Sequence, residues 1–412
     1  MVADGGAGGA ATASEEGGAG GAIEDGLRLT AYLGERNASG GRLLADSLMD
    51  AYARHGVGTS VLLRGIEGFG IKHRLATERL LTLSEDLPLI ALAVDAPARI
   101  QGLLEEVRAL SPHGAITLER VRLLSGPRAH ARLDAGTDAA KLTIYVGRQE
   151  RVAGAPAHVA VVDCLHRHGV AGASVLLGLD GTVHGVRRRA RFLARNTRVP
   201  LMIQSVGESA TIARALEEIT AMWSGSGRSG DPASAGSSRG SAAATGSGET
   251  LGVGGPAMTL ERVRVCKRDG ELLAEPLRPP GADEDGLGYW QKLVVYTSER
   301  TRYQREPLHS ALVRRLRQEG AAGATALRGQ WGYHGAHRPH GEAFWSIARH
   351  VPVLTMLLDT PEHMGRWFEI VDEMTAETGL VTSEIVPALR AAGPGIEHGG
   401  LQLAARHGRS PG

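Results

Sequence analysis

The residues with the best claim to chemistry are arginines and glycines that recur at fixed spacing. Arg64-Gly65-Ile66-Glu67-Gly68-Phe69-Gly70 follows a short apolar run, Ser60 to Leu63, and Arg74 comes just after it. Backbone N–H groups of a glycine loop at a strand end can cradle an anion, and a guanidinium matches phosphate or carboxylate through its planar fork. No Lys-Ser/Thr pair follows, so this is not the phosphate loop of nucleotide hydrolases, and the glycine spacing is not the dinucleotide fingerprint. The same glycines would also serve plain turn geometry. Arg187 and Arg338 align with Arg74, and Arg328-Gly329 aligns with Arg64-Gly65. Each arginine reads as an effector contact or as an ion pair with an acid such as Glu85 or Asp86. The candidate effector-binding set is therefore Arg64, Gly65, Gly68, Gly70, Arg74, Arg187, Arg328, Gly329 and Arg338.

Other clusters read as less chemical. Arg187, Arg188, Arg189, Arg191, Arg195 and Arg198 make a basic stretch, for which a solvated surface or acids of a neighbouring segment fit better than nucleic acid. His334, His337 and His340, with Glu342 nearby, have the composition of a metal site, but Pro339 breaks the run and no Cys accompanies it. Cys164 lies among apolar residues of a helical pattern and reads as buried and inert. No nucleophile elbow, matched carboxylate pair or Cys–His arrangement is visible, which points away from catalysis. No metal or other cofactor is expected.

The elements that must position these residues form a threefold internal repeat. Arg28-Leu29-Thr30-Ala31-Tyr32 is echoed by Lys141-Leu142-Thr143-Ile144-Tyr145 and Lys292-Leu293-Val294-Val295-Tyr296. Equal spacing from each Tyr leads to Gly56, Gly169 and Gly320, then to Gly65, Gly178 and Gly329, then to Gly68, Gly181 and Gly332. Pro88, Pro200 and Pro352 follow, and near the end stand Thr117-Leu118-Glu119, Thr259-Leu260-Glu261 and Thr382-Ser383-Glu384. Register kept through three copies marks a repeat.

Each copy reads strand, helix, strand, strand, helix, strand. Leu27, Leu29, Ala31 and Leu33 alternate with Arg28, Thr30 and Tyr32, the pattern of a half-buried strand. Leu44, Leu48 and Tyr52 mark a helix face that stops at Gly56. Leu75 to Leu83 reads as helical, and Pro97 opens a further helix. This order predicts three ferredoxin-like α+β units, each an antiparallel sheet with both helices on one face. The copies span 27–124, 141–268 and 292–390. The second carries a Gly/Ser-rich insertion, 224–256, that reads as disordered. A linker covers 269–288, and flexible tails are expected at 1–26 and 391–412.

Bulk properties narrow the class further. The 46 basic and 45 acidic residues leave a net charge of +1, which gives no whole-molecule attraction to nucleic acid or anionic membrane. Only two cysteines are present, too few for a disulfide framework. The start, rich in Gly and Ala with Glu15 and Glu16, lacks the basic and apolar regions of a signal peptide. A cytoplasmic protein without membrane insertion is expected.

The first copy's Arg64-to-Gly70 motif, followed by Leu83-Ser84-Glu85-Asp86-Leu87-Pro88, resembles the bacterial family catalogued as domain of unknown function 190. Its members are PII-like, related in fold to the PII nitrogen-signalling proteins. The match weakens in the second copy, where Leu177 replaces the Arg and Thr197-Arg198 the acidic pair. In the third, Arg349-His350 takes that pair's place. The resemblance implies homotrimeric relatives that bind small effectors, often adenine nucleotides, in clefts between subunits. It also implies a loop that touches a protein partner such as a fluoride channel or other membrane transporter. Three fused copies then suggest an intramolecular pseudo-trimer acting as a regulatory protein. The alternatives are a docking scaffold that needs no effector, or a metal-binding protein or enzyme built on the His-rich loop.

Overall fold

The computed structural model describes residues 23–70, 75–77, 86–124, 139–183, 185–189, 199–224, 255–279, 287–334, 339–341, 351–393 and 396–404. In the first copy the main elements are β1 (Ile23–Gly34), α1 (Leu44–Arg54), β2 (Thr59–Arg64), β3 (Glu67–Phe69), β4 (Pro88–Asp95), α2 (Pro97–Leu110) and β5 (Gly114–Leu124). The second copy supplies β6 (Ala139–Gly147), α3 (Ala157–Arg167), β7 (Gly172–Val183), β8 (Val186–Arg189), β9 (Pro200–Glu208), α4 (Ser209–Ser224) and β10 (Ala257–Arg268). The third supplies β11 (Trp290–Ser298), α5 (Leu308–Gln318), β12 (Ala324–Arg328), β13 (Trp331–His334), β14 (Pro352–Asp359), α6 (Pro361–Met374), β15 (Leu380–Val386) and β16 (Ala388–Gly393).

The helices follow from their sequences. Leu44, Leu48, Met49 and Tyr52 of α1 are buried on one face, and Gly56, at φ +65°, ends the turn behind it. Pro97 and Pro361 stand in the first turns of α2 and α6, where a missing N–H costs nothing. Each helix pair covers its own apolar cluster. Leu29, Leu48, Ile100 and Leu103 anchor the first, Ile144, Val162, Leu165 and Leu216 the second, and Leu293, Leu312, Phe368 and Val371 the third.

The sheet overturns the expected architecture. Three separate ferredoxin-like α+β repeats set as a pseudo-trimer would leave each copy its own sheet with two edges. Instead, 20 strands join in one antiparallel network. Within it β2, β4, β1, β5, β10, β6, β9 and β7 pair in turn, and β7 pairs back on β2, closing an eight-stranded barrel. The third copy is laced onto this barrel through β15 on β10, β12 on β3, β13 on β7 and β16 on β5. The physical reason is the sheet edge. A strand edge carries unpaired N–H and C=O groups, and here strands of neighbouring copies satisfy them. Hydrophobic period reports which residues of a strand face inward, but not which strand lies beside it.

Two local readings change as well. Residues 76–77, expected to be helical, pair as a short strand against Glu67 and Gly68, while 78–83 lie outside the described residues. The stretch after 391, expected as a flexible tail, continues β16 and returns as a strand at Ile396–Gly399. The insertion expected at 224–256 falls largely outside the described residues, as does the first part of the N-terminal tail.

The second face of β1 is covered as well. Arg28 and Thr30 are buried, and Tyr32 packs against a fourth apolar cluster that draws Val61, Leu92 and Leu123 from the first copy, Tyr145 and Met202 from the second, and Tyr296 and Leu354 from the third. Both faces of the sheet are therefore core: one beneath the helices, the other where the copies meet. Among the described residues no helix is long and apolar enough to cross a membrane.

Candidate functional site

The loop glycines sit where strands of different copies cross. Gly65 donates its N–H to the Pro88 carbonyl at 2.7 Å, and Ile66 donates to the Ala326 carbonyl of the third copy at 2.9 Å. Gly329 repeats this with Pro352 at 2.8 Å, and Gln330 donates to Val175 of the second copy at 2.8 Å. A Cβ on Gly68 would lie 2.7 Å from the Ala324 carbonyl oxygen, and on Gly332 or Gly181 it would lie 2.1 Å from that of Ala173 or Ser60. Only a residue without a side chain lets two backbones approach so closely. The crossings are cyclic: the first copy's loop docks on the third, the third's on the second, and the second's on the first.

Gly70 differs, with no neighbour within 4 Å of a Cβ placed on it. It opens onto a cleft of about 290 Å³ between the first and third copies. Tyr32, Asn37, Phe69, Asp86, Pro88, His113 and Ala115 line one side; Trp290, Lys292, Ala324, Thr325, Met356 and Leu358 line the other. Of the predicted set, Gly68 and Gly70 reach this cleft. The counterpart between the third and second copies, built from Tyr296, Tyr333, His334, Pro352, Leu380 and Gly172 to Ser174, has shrunk to about 10 Å³. Three differences account for the contrast. Leu380 stands where the first copy has Ala115, each opposite the repeated Tyr of the first strand. His334 replaces Gly70. Tyr333, the counterpart of Phe69, turns into the second copy's core and donates its hydroxyl to the Val170 carbonyl at 3.0 Å.

The structure brings Arg64, Arg328 and Arg187, the predicted arginines among the described residues, to acids rather than to one shared site. Arg64, exposed at the end of β2, pairs with Glu35 at 3.0 Å, and Arg328 makes the matching pair with Glu299 at 2.8 Å. Arg187 bridges Asp180 of its own copy, at 2.7 Å, and Asp50 on α1 of the first. The hydrogen bond from Arg187, acting against burial, holds the Asp50 carboxyl below its usual range. Arg189 reaches Asp46 at 2.7 Å. Part of the basic stretch thus faces acids of a neighbouring copy. Arg74, Arg338 and His337 lie outside the described residues.

Beneath the cleft lies a site that sequence reasoning did not identify. Each copy contributes one cation from its first strand and one glutamate from its last. Arg28 meets Glu119 and Glu261, both at 2.6 Å. Lys141 meets Glu261 at 3.0 Å and Glu384 at 2.5 Å. Lys292 meets Glu384 at 2.9 Å and Glu119 at 2.7 Å. The six groups form a closed alternating ring in which every cation touches its own copy's carboxylate and that of another copy. All six side chains are at most 7 % exposed. Burial alone would push the Glu119 carboxyl up, but Arg28 and Lys292 overcome it and hold the group far below its ordinary value. Lys141 and Lys292 do the same for Glu384. Burial works against the Lys292 ammonium too, yet Glu119 and Glu384 raise it above a normal lysine. The signal was present in the repeat, as a cation beside each first-strand Leu and a Glu in each Thr-x-Glu. It went unread as a ring because spacing along the chain does not tell which strands of different copies lie side by side. Lys292 also lines the cleft, so the two sites share a residue.

Two groups of ligand-type residues come together among the described residues. Glu119, Glu261 and Glu384 are one, and their charge is already balanced by three cations, which leaves no electrostatic demand for a metal. Cys164, His168 and Glu218 are the other. His168 and Arg167 both bind Glu218, and the first copy makes the same clamp from His55, Arg54 and Glu106 without a cysteine. Burial pushes the Cys164 thiol up to about 12, so it is the neutral thiol that packs between the two helices.

These features (one open cleft, its collapsed counterpart and a shared charge ring) are built from copies of one unit. The family model of DUF190, described as "Uncharacterized ACR", matches three times, over residues 26–123, 139–227 and 290–388. The chain belongs to that family and carries three copies of its domain.

Proposed function

We propose that this is a regulatory protein without catalytic activity, which binds a small effector in the cleft between the first and third copies and signals its occupancy to a protein partner. The observation that carries this reading is the contrast between one cleft of about 290 Å³ and its counterpart of about 10 Å³. A structural repeat has no need to keep one cleft open, whereas a binding site does. The lining suits a flat, partly polar ligand. Trp290, Tyr32 and Met356 offer apolar faces, while Asn37, Asp86, His113 and Thr325 offer hydrogen bonds. An adenine base has this character, which agrees with the effectors the family resemblance implies. The lining is also placed to report occupancy. Pro88 and Asp86 flank the segment that follows the first copy's glycine loop, and Lys292 joins the cleft to the ring that binds all three copies. The partner we favour is a membrane channel or transporter, met by the first copy's loop.

Calorimetric titration with ATP, ADP, AMP, cyclic AMP and cyclic di-AMP tests the reading. Saturable binding of one of these is expected. A protein carrying Ala115→Leu and Gly70→His, which copy the residues of the collapsed cleft, is expected to lose it. Binding that survives both substitutions would move the effector elsewhere. No binding at all would favour a docking scaffold that needs no effector.

A further inference from the structure

Two copies use a buried aspartate in the same way, and the third lacks it. At the end of β4, Asp95 accepts the Gly58 N–H at 2.7 Å and the Ala96 N–H at 2.8 Å, with Arg99 at 3.4 Å. At the end of β14, Asp359 accepts the Ala322 N–H at 3.1 Å, the Thr360 N–H at 2.7 Å and the Trp367 indole N–H at 2.7 Å. Each carboxylate ties the turn behind its copy's first helix to the start of the second, and each meets a further side-chain donor. The aligned residue of the second copy is Gly207, which supplies no carboxylate. Ala171 is the counterpart of Gly58 and Ala322, so its N–H loses the acceptor that the other copies provide.

A cavity of about 360 Å³ opens at this place, lined by Ala171, Thr211, Glu208, His166 and Arg268 among others. Arg268 makes no ion pair among the described residues, and its Nε is buried without a hydrogen-bond partner. A buried guanidinium N–H with no acceptor is costly and calls for an anion. The Thr211 hydroxyl accepts from Arg214 at 3.1 Å, which leaves its own proton to donate.

We propose that this cavity binds the carboxylate of a small organic acid, seated where Asp95 and Asp359 place their own carboxylates. Ala171 N–H, Arg268 and Thr211 are the donors. The carboxylate of Glu208 at the rim disfavours a more highly charged phosphate. The site lies in the second copy, apart from the cleft between the first and third, and does not depend on that cleft's ligand.

Gly207 gives a direct test. A Cβ there would meet Val170 Cγ1 at 3.1 Å and Ile212 Cδ1 at 3.5 Å, so an aspartate side chain enters with a small adjustment. Calorimetric titration of the full chain with acetate, succinate and inorganic phosphate is the experiment. Saturable binding of a carboxylate is expected, weakened about tenfold or more by Gly207→Asp, which occupies the site from within, and by Arg268→Gln, which removes its cation. Neither change should alter binding in the cleft. Absence of saturable carboxylate binding, equal binding by the Arg268→Gln protein, or tighter binding of phosphate would each overturn the assignment. So would unchanged affinity in a folded Gly207→Asp protein.

Discussion

At Arg28, Lys141 and Lys292 a cation occupies the strand face that ordinarily meets water, and its neutralisation comes from two glutamates instead of solvent. Such a ring is balanced only when complete. Glu384→Gln leaves Lys141 and Lys292 each short of a carboxylate in a dry interior, and is expected to cost about 3–5 kcal/mol in urea unfolding. The pH dependence follows from the same groups. Glu119 and Glu384 have depressed native pKa values, so the stability they contribute is full above the ordinary glutamate value of 4.5 and is lost as pH falls through the lowered native values. Lys292 is raised, so its contribution is full below the ordinary lysine value of 10.5 and is lost only as pH climbs through the raised one. Stability followed by circular dichroism should therefore hold level between these limits, with its acid limb blunted in Glu384→Gln. The chain has only four lysines, Lys72, Lys141, Lys267 and Lys292. Three of them are buried, each against a carboxylate: two in the ring, and Lys267 on Asp372 at 2.5 Å.

Between neighbouring elements, the glycines at strand crossings decide whether copies can join. Gly332→Ala puts a methyl group 2.1 Å from the Ala173 carbonyl, against backbone that cannot swing away, and should pull β13 off β7. Gly70→Ala meets nothing within 4 Å and should be neutral. Thermal unfolding of the two variants is expected to separate them by several degrees, since about 1 kcal/mol shifts the midpoint of a domain of 150 residues or more by roughly 2–4 °C. Elements of this kind show what could be read from the chain. The hydrophobic period placed α1 and β1, and repetition placed Gly65, Gly68 and their counterparts, because both signals are local or self-similar. The pairing of β7 with β2, or of β12 with β3, left no local trace, since an edge strand reads the same whatever lies beside it. Gly68 and Gly70 were legible as cleft residues through the loop motif. Ala115 and Trp290 were not, because small or apolar residues in a cleft look like residues in a core. The lost aspartate at Gly207 was hidden for another reason: what it changes is an N–H on a different turn.

For the molecule as a whole, shared ladders and a shared ring tie every copy to both others. Calorimetric heating is expected to give one cooperative transition and not three, and resolved peaks for separate copies would contradict the lacing described above. The same closure has a consequence for how the chain is born. Lys141 waits for Glu384, 243 residues later, and Glu119 for Lys292, 173 residues later. A ribosome adds about 5–20 residues per second, so for many seconds the first copy stands with a buried-type carboxylate, an open strand edge and its crossing loop unmet. Contacts of such long range also slow folding itself. The emerging first copy is thus a sticky intermediate by construction, and its yield in the cell should depend on chaperones that hold it until the last strand arrives.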